Sequence, residues 1–347
     1  MKNIIHIIPT LQNGGAETVL ARIVEEFSKN NVEQIVITLK GSTSDFHYES
    51  IKKYCRILDW KRNSKSIEAL LIEQSKSPIL AWMYPAIFFA HKLKKRLRTK
   101  HPIIWNIRHS SFRWNQLYQK LALFGFGLYS RLTTPKIIYC SYRSQQVHEK
   151  YFFSKKKRTV IQNRLAKKIN LTIPKDQYYG NPFLLYVGRY NLAKGPDRLI
   201  DIALKYFEKN NTSKLIIAGG GWNKKQIPNV IKHKVQLEGD VSDIEELYQK
   251  ASALLFTSYS EGYPNVLVEA AVSGLPIIAF EAGDSKYILD RYSLGYSVSS
   301  KKMFLEKLQE IENQPPTLDH RKKAAQDQEI KMNFKETVKE YLHFLFN

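Results

Sequence analysis

Only two of the 347 residues are cysteines, Cys55 and Cys140, and neither has a C-x-x-C partner. That count excludes a disulfide framework and a thiolate zinc site, and makes a reducing cytoplasm the expected setting. No apolar run approaches the ~20 residues of a membrane span. The opening Ile4-Ile5-His6-Ile7-Ile8 is bounded by Pro9, too short for a signal-peptide core, and reads as a first strand. G-x-G-x-x-G and G-x-x-x-x-G-K-[ST] are both missing, which removes the dinucleotide fingerprint and the P-loop. No D-x-D is present to hold a metal on a diphosphate. Acidic residues are scarce in one half: residues 1–170 carry 31 Lys+Arg against 10 Asp+Glu, whereas residues 171–347 carry 23 against 22, so nearly all of the net +22 lies in the first half. Such a bias argues for an anionic partner, whether membrane lipid, lipid-linked phosphate or nucleic acid. The plain alternative is that lysine is the preferred surface residue.

What is present is enough apolar residue, 43%, for two ordinary cores. The first half alternates strand-like runs with helical patterns. Ile4–Ile8 is followed by Asn13-Gly14-Gly15-Ala16 and then Thr18–Phe27 with apolar residues at helical spacing, a βα unit. Further strands are expected at 34–39, 56–58, 79–83, 103–106, 137–140 and 159–161, the rhythm of an open parallel sheet. Trp105-Asn106-Ile107-Arg108-His109-Ser110 puts His109 at a strand's carboxyl end, where such sheets gather ligands. The run His91–His101 has Leu93 and Leu97 four apart, a thin apolar stripe under a cationic face. With Lys155–Arg158 and the aromatic Leu121–Tyr129 it suits a peripheral membrane-facing domain, or a merely solvated surface.

Periodicity is lost over 165–179, which places a domain linker there. Phe183–Val187 restarts a buried strand and runs into Gly188-Arg189-Tyr190-Asn191-Leu192-Ala193-Lys194-Gly195-Pro196, two cations on one loop before a helix, able to converge on a diphosphate. Strands are expected at 214–218, before Gly219-Gly220-Gly221, and at 235–238, before Gly239-Asp240-Val241. After Ala253–Phe256 comes Ser258-Tyr259-Ser260-Glu261-Gly262-Tyr263-Pro264-Asn265-Val266-Leu267-Val268-Glu269-Ala270. Proline suits a first helical position, so a helix is expected from Pro264 to Ser273 with Gly274 as its stop. Gly262 permits close approach of a ligand, and the helix start is suited to an anion.

Glu261 and Glu269, with seven residues between them that begin Gly-Tyr-Pro-Asn, resemble the E-x7-E signature of the family 4 retaining glycosyltransferases, and Gly188-Arg189 to Lys194-Gly195 resembles that family's G-R-x4-K-G. The resemblance spans nearly the whole chain and is strongest in the second half; Trp105–Ser110 resembles the branch of bacterial surface-polysaccharide and lipopolysaccharide enzymes. It implies an α/β GT-B fold, two Rossmann-like doubly wound domains facing across a cleft. The expected domains are residues 1–170 for the acceptor and 171–330 for the donor, with a helix over about 331–347 crossing back to the first.

The implied activity is transfer of a sugar from a nucleotide-diphosphate sugar, UDP-linked by preference, to a saccharide or lipid-linked acceptor with retention at the anomeric carbon. The resemblance assigns Arg189, Lys194, Glu261 and His109 to catalysis. It assigns Gly14, Gly15, Gly188, Gly220, Val241, Gly262, Tyr263, Asn265, Val266 and Glu269 to donor binding. No cofactor and no metal are expected, since Arg189, Lys194 and helix N–H groups would neutralise the leaving diphosphate. An anionic membrane surface is the expected partner of the basic half, which makes the protein cytoplasmic and peripheral on the inner membrane face. Two other readings compete: a sugar-nucleotide epimerase of the same fold, and a nucleic-acid-binding protein. The second finds no interleaved recognition motif to support it.

Overall fold

The computed structural model describes residues 2–110, 117–164, 183–209, 213–241 and 243–347. The chain forms two compact units, Met1–Asn163 with Phe334–Asn347, and Arg164–Asn333. The boundaries expected at 170 and 330 thus fall at 163 and 333, and the linker expected over 165–179 lies outside the described residues.

The first unit is a seven-stranded sheet of β1 (Lys2–Ile8), β2 (Val32–Thr38), β3 (Arg56–Asp59), β4 (Ile79–Trp82), β5 (Ile103–Ile107), β6 (Lys136–Tyr139) and β7 (Arg158–Val160). The order is β3-β2-β1-β4-β5-β6-β7 and the pairings are parallel. Its helices are α1 (Gly15–Lys29), α2 (Tyr48–Lys52), α3 (Trp60–Glu73), α4 (Met83–Leu97), α5 (Leu117–Thr133) and α6 (Tyr142–Lys150). Both faces of a parallel sheet are covered, so its strands read as continuous apolar runs. Ile4 and Ile8 of β1 pack with Val19, Leu20, Ile23 and Phe27 of α1. Ile5 and Ile7 point to the other face, with Ile67 of α3 and Ile87 of α4. Leu93 belongs to that second core at 4% exposure, and Leu97 packs against it. The Leu93–Leu97 stripe faces inward, under the cationic side of α4, and continues the buried row begun by Ala86 and Ala90.

The second unit holds β8 (Phe183–Val187), β9 (Lys214–Ala218), β10 (Val235–Gly239), β11 (Ala253–Phe256), β12 (Ile277–Phe280) and β13 (Gly295–Val298). They run in the order β10-β9-β8-β11-β12-β13, all parallel. Its helices are α7 (Pro196–Phe207), α8 (Glu245–Lys250), α9 (Asn265–Val272), α10 (Ser285–Leu289), α11 (Lys301–Asn313) and α12 (Leu318–Lys331). In each sheet the strand order reverses once, between β1 and β4 and between β8 and β11, and such a switch point opens a crevice at the strands' carboxyl ends.

The closing helix α13 (Phe334–Phe346) belongs to the first unit. Phe334, Val338, Tyr341 and Leu345 recur at helical spacing and enter the core that α1 lines, Tyr341 meeting Phe27 edge-on. Thr337 Oγ1 donates to Gln162 O at 2.9 Å and Lys136 Nζ to Phe344 O at 2.7 Å, which ties this helix to the first unit.

Candidate functional site

At the switch point of the second sheet, the loop leaving β8 meets the loop leaving β11. Asn191 caps a single 3-10 turn, Leu192–Lys194, its side chain accepting from Ala193 N at 2.9 Å. Gly195 then takes φ +66, where a Cβ would come within 2.1 Å of Thr257 O. Only glycine lets the two loops approach so closely. They are stitched together by Tyr259 N to Ala193 O at 2.8 Å and by Thr257 Oγ1 to the carbonyls of Lys194 and Gly195 at 3.1 and 3.0 Å, while Tyr186 OH of β8 donates to Lys194 O at 3.2 Å.

This scaffold carries the charge pair. Lys194 Nζ lies 2.7 Å from Glu261 Oε1, and Ser258 Oγ donates to the same oxygen at 2.8 Å. Lys194 is 29% exposed and Glu261 11%, so the pair sits in the mouth of the crevice and not on open surface. Gly283, at φ +59, passes under the chain at Glu261 and Gly262, where a Cβ would stand 2.9 Å from both carbonyl oxygens. Burial pushes the Tyr186 hydroxyl up, with the Glu261 charge as a second cause. Arg189 is exposed at the end of β8 and forms no ion pair with any described residue.

The glycine turns stack on this loop. Gly219 takes φ +141 with no room for a Cβ against Gly188 O at 2.4 Å, while Tyr190 N donates to Gly220 O at 2.9 Å. Trp222 Nε1 donates to Gly188 O at 2.9 Å and Gly220 N to Asp240 Oδ1 at 3.0 Å. Val241 follows Asp240 directly and is half-buried. Gly188, Gly220 and Val241 thus adjoin one another at the ends of β8, β9 and β10.

Pro264 is the N-cap of α9 and Asn265 its first residue, one position later than expected. Tyr263 is buried, its hydroxyl 4.0 Å from Met332 Sδ, which makes it a packing residue. Val266 opens the helix half-buried beside Asn265. Glu269 stands one turn further on and accepts from the Tyr248 hydroxyl at 3.0 Å. Burial raises the Tyr248 hydroxyl far above its usual value, and the Glu269 charge adds to this. Sequence reasoning missed Tyr248, Ser258 and Gly283. Ser258 was readable as a hydroxyl three residues before Glu261; Tyr248 lies in another element and left no local signal.

The remaining expected residues lie in the first unit. Gly14 caps α1, its carbonyl accepting from Thr18 Oγ1 at 2.9 Å, and Gly15 is the first helical residue. His109 follows β5 and packs edge-on to Tyr84 at 5.1 Å and His148 at 5.6 Å between ring centroids. Burial pushes it down to about 4, so its imidazole is neutral near pH 7. Among the described residues no three His, Cys, Asp or Glu side chains come together to hold a metal ion.

This architecture recurs from end to end in solved glycosyltransferases and defines the GT-B class. HepE from Anabaena in complex with UDP superposes with a TM-score of 0.80 at 17% identity over 99% of both chains. TarM gives 0.79 at 14% over 100% of this chain and 99% of its own. Residues 171–328 match the family described as Glycosyl transferases group 1, and the second unit of this chain is a domain of that family. Curated relatives include an uncharacterised glycosyltransferase of Haemophilus influenzae, 24% identical over 294 residues that make up 77% of each chain. Another is an alpha-1,4-N-acetyl-D-galactosaminyltransferase of Campylobacter jejuni, 25% identical over 288 residues, 78% of this chain and 77% of that one.

Proposed function

We propose that the protein transfers a hexose from a UDP-sugar to a saccharide or lipid-linked acceptor in bacterial surface-polysaccharide synthesis, with retention of anomeric configuration. The observation that carries this reading is Lys194, fixed by Glu261 in the mouth of the β8/β11 crevice beside the exposed Arg189. Two cations there can take up the charge that develops on a departing diphosphate, a contribution that grows toward the transition state. Glu269, steadied by Tyr248, is placed to accept from donor hydroxyls. His109 is neutral and can offer a hydrogen bond to the transferred sugar without competing for a proton.

Relatives support both sides of the reading: the Campylobacter enzyme acts on an undecaprenol-diphosphate glycan by its name, which bears on the acceptor, and HepE has been seen with UDP-glucose, which bears on the donor. The reading needs no metal, since Arg189 and Lys194 supply the positive charge. The test is nucleotide release from a panel of UDP- and GDP-sugars, with and without chelator, followed by the anomeric configuration of the product. Turnover of a UDP-sugar, unaffected by chelator and giving a retained product, is expected. Release from GDP-sugars alone, activity that magnesium or manganese must restore, or an inverted product would each overturn its part.

A further inference from the structure

We propose that α4 and α5 of the first unit form a docking face for an anionic lipid bilayer, α5 setting a row of apolar side chains below the headgroups and lysines of α4 lying against the phosphates. Leu121, Phe124, Leu128 and Leu132 follow one another three or four residues apart, which puts them on one side of α5. They are 62%, 41%, 43% and 84% exposed. Gly125 lies in the same stripe, and a Cβ there would meet nothing within 4 Å. Exposed Phe88 of α4 and Phe152 widen the patch, Phe152 touching Phe124 edge-on at 5.3 Å. The stripe is not a core face left uncovered. The opposite side of α5 is already seated through buried Leu123 and through Gly127, whose Cβ would fall 1.8 Å from Tyr151 O.

Charge identifies the occupant. Between the two helices runs an apolar groove of about 510 Å³, walled by Phe88, Phe126 and Tyr129 with Lys92 and Lys95 beside them. On its floor His91 accepts from the Trp105 indole at 2.9 Å and lies 3.0 Å from the Tyr129 hydroxyl, and burial keeps it neutral. Lys92 and Lys95 are exposed, and neither helix contains an acidic residue. Lys95 also lines an adjoining cavity of about 630 Å³ with Lys94, Arg98, Lys136 and Lys157. A second copy of the chain meeting this face would set cation against cation with no carboxylate in either helix to offset it. A phosphate-bearing surface answers both parts at once: apolar groups enter the acyl boundary and lysines stay at the headgroups. No helix of the described residues is long and apolar enough to cross a membrane, so α5 lies in the interface plane.

The test is co-sedimentation of the full chain with phosphatidylglycerol/phosphatidylethanolamine vesicles and with phosphatidylcholine vesicles. The wild type should bind the anionic vesicles. Leu121→Ser/Phe124→Ser/Leu128→Ser should weaken binding about thirtyfold or more, and Lys92→Gln/Lys95→Gln about twentyfold at low salt. Added salt should remove the lysine-dependent share and spare the apolar one. All five positions are exposed, and a dye on Leu132→Cys, blue-shifting on anionic vesicles, reads insertion without altering the patch elsewhere. Equal binding to both vesicle types, no binding by the folded wild type, or an unchanged serine variant would overturn the proposal. So would a wild-type dimer that the serine variant dissociates. Because vesicle binding is read without sugar transfer, failure here is distinct from failure of the donor reading.

Discussion

Replacing Lys194 by methionine separates what this residue does for the fold from what it does for the donor. Lys194 Nζ is 2.7 Å from Glu261 Oε1, and the pair is neither open to solvent nor sealed. Exposed ion pairs contribute about 0.2–1 kcal/mol, whereas breaking a fully buried one costs about 3–5 kcal/mol. With Ser258 still donating to the same carboxylate oxygen, a loss of about 1–3 kcal/mol is expected. For a chain of two such units that lowers the melting temperature by roughly 2–10 °C. Adding Glu261→Gln removes the carboxylate left behind, so the double variant should recover most of the stability. Activity should not follow. Loss of one charge aimed at a developing anion costs about 2.7–4 kcal/mol, or roughly a hundred- to a thousandfold in turnover. Thermal melts and kcat for UDP-sugar turnover, measured on both single variants and the double, form the cycle. A folded Lys194→Met enzyme with near wild-type kcat, or a double variant that regains turnover with its stability, would refute the catalytic role and leave the pair a structural strut.

Arg189→Ala should lower turnover about a hundredfold while leaving the melting temperature unchanged, since the side chain is exposed and unpaired among the described residues; a stability loss equal to that of Lys194→Met would contradict this. Tyr248→Phe removes the hydroxyl that steadies Glu269, so KM for the sugar nucleotide should rise about tenfold, kcat changing less; an unchanged KM argues against a donor role for Glu269. Burial holds His6, His91 and His109 down to about 4 and His148 to about 3, against the usual 6.5. Below about pH 6.5 the unfolded chain therefore takes up protons that the folded one refuses, and stability falls as pH drops toward 4. All four histidines lie in the first unit, so hydrogen exchange corrected for intrinsic rates should show that unit losing protection first; earlier loss in the second would sink the argument.

The strands plainest in the sequence are the central ones, buried on both faces. Ile79–Trp82, Phe183–Val187 and Ala253–Phe256 are unbroken apolar runs because helices cover both sides of their sheets. The edge strand Gly295–Val298 escaped notice: Gly-Tyr-Ser-Val is mostly half-buried and too polar to stand out. Within the candidate site the two loops were legible because their glycines and charges are contiguous in sequence. Their mutual arrangement was not, since Lys194 and Glu261 are joined by bonds such as Tyr259 N to Ala193 O that span sixty-odd residues. The basic helix was legible only in part. Leu93 and Leu97 gave a helical spacing, but spacing alone does not say which way a stripe points, and only the buried Ala86 and Ala90 ahead of it fix its direction.

The two units share an architecture and differ in how they use cations. By structural unit the first carries 30 Lys+Arg against 12 Asp+Glu, and the second 24 against 20. In the second, two arginines are turned to internal use. Arg321 is fully buried and donates to the carbonyls of Gly274, Ala251, Tyr248 and Gln249, which fixes the end of α8 and the turn after α9 that flank Glu269. Arg198 stacks 3.7 Å over Tyr259 and 4.5 Å over Phe280, bracing the loop that ends in Glu261. In the first unit Lys92, Lys95, Arg98 and Lys100 are exposed along and just past α4, and the charge they add has no internal use. Salt should then act on the two units differently. It screens exposed charge beyond about 10 Å at 0.1 M, which weakens whatever anionic surface the first unit meets, while the enclosed Arg321 and Lys194 contacts of the second are screened far less.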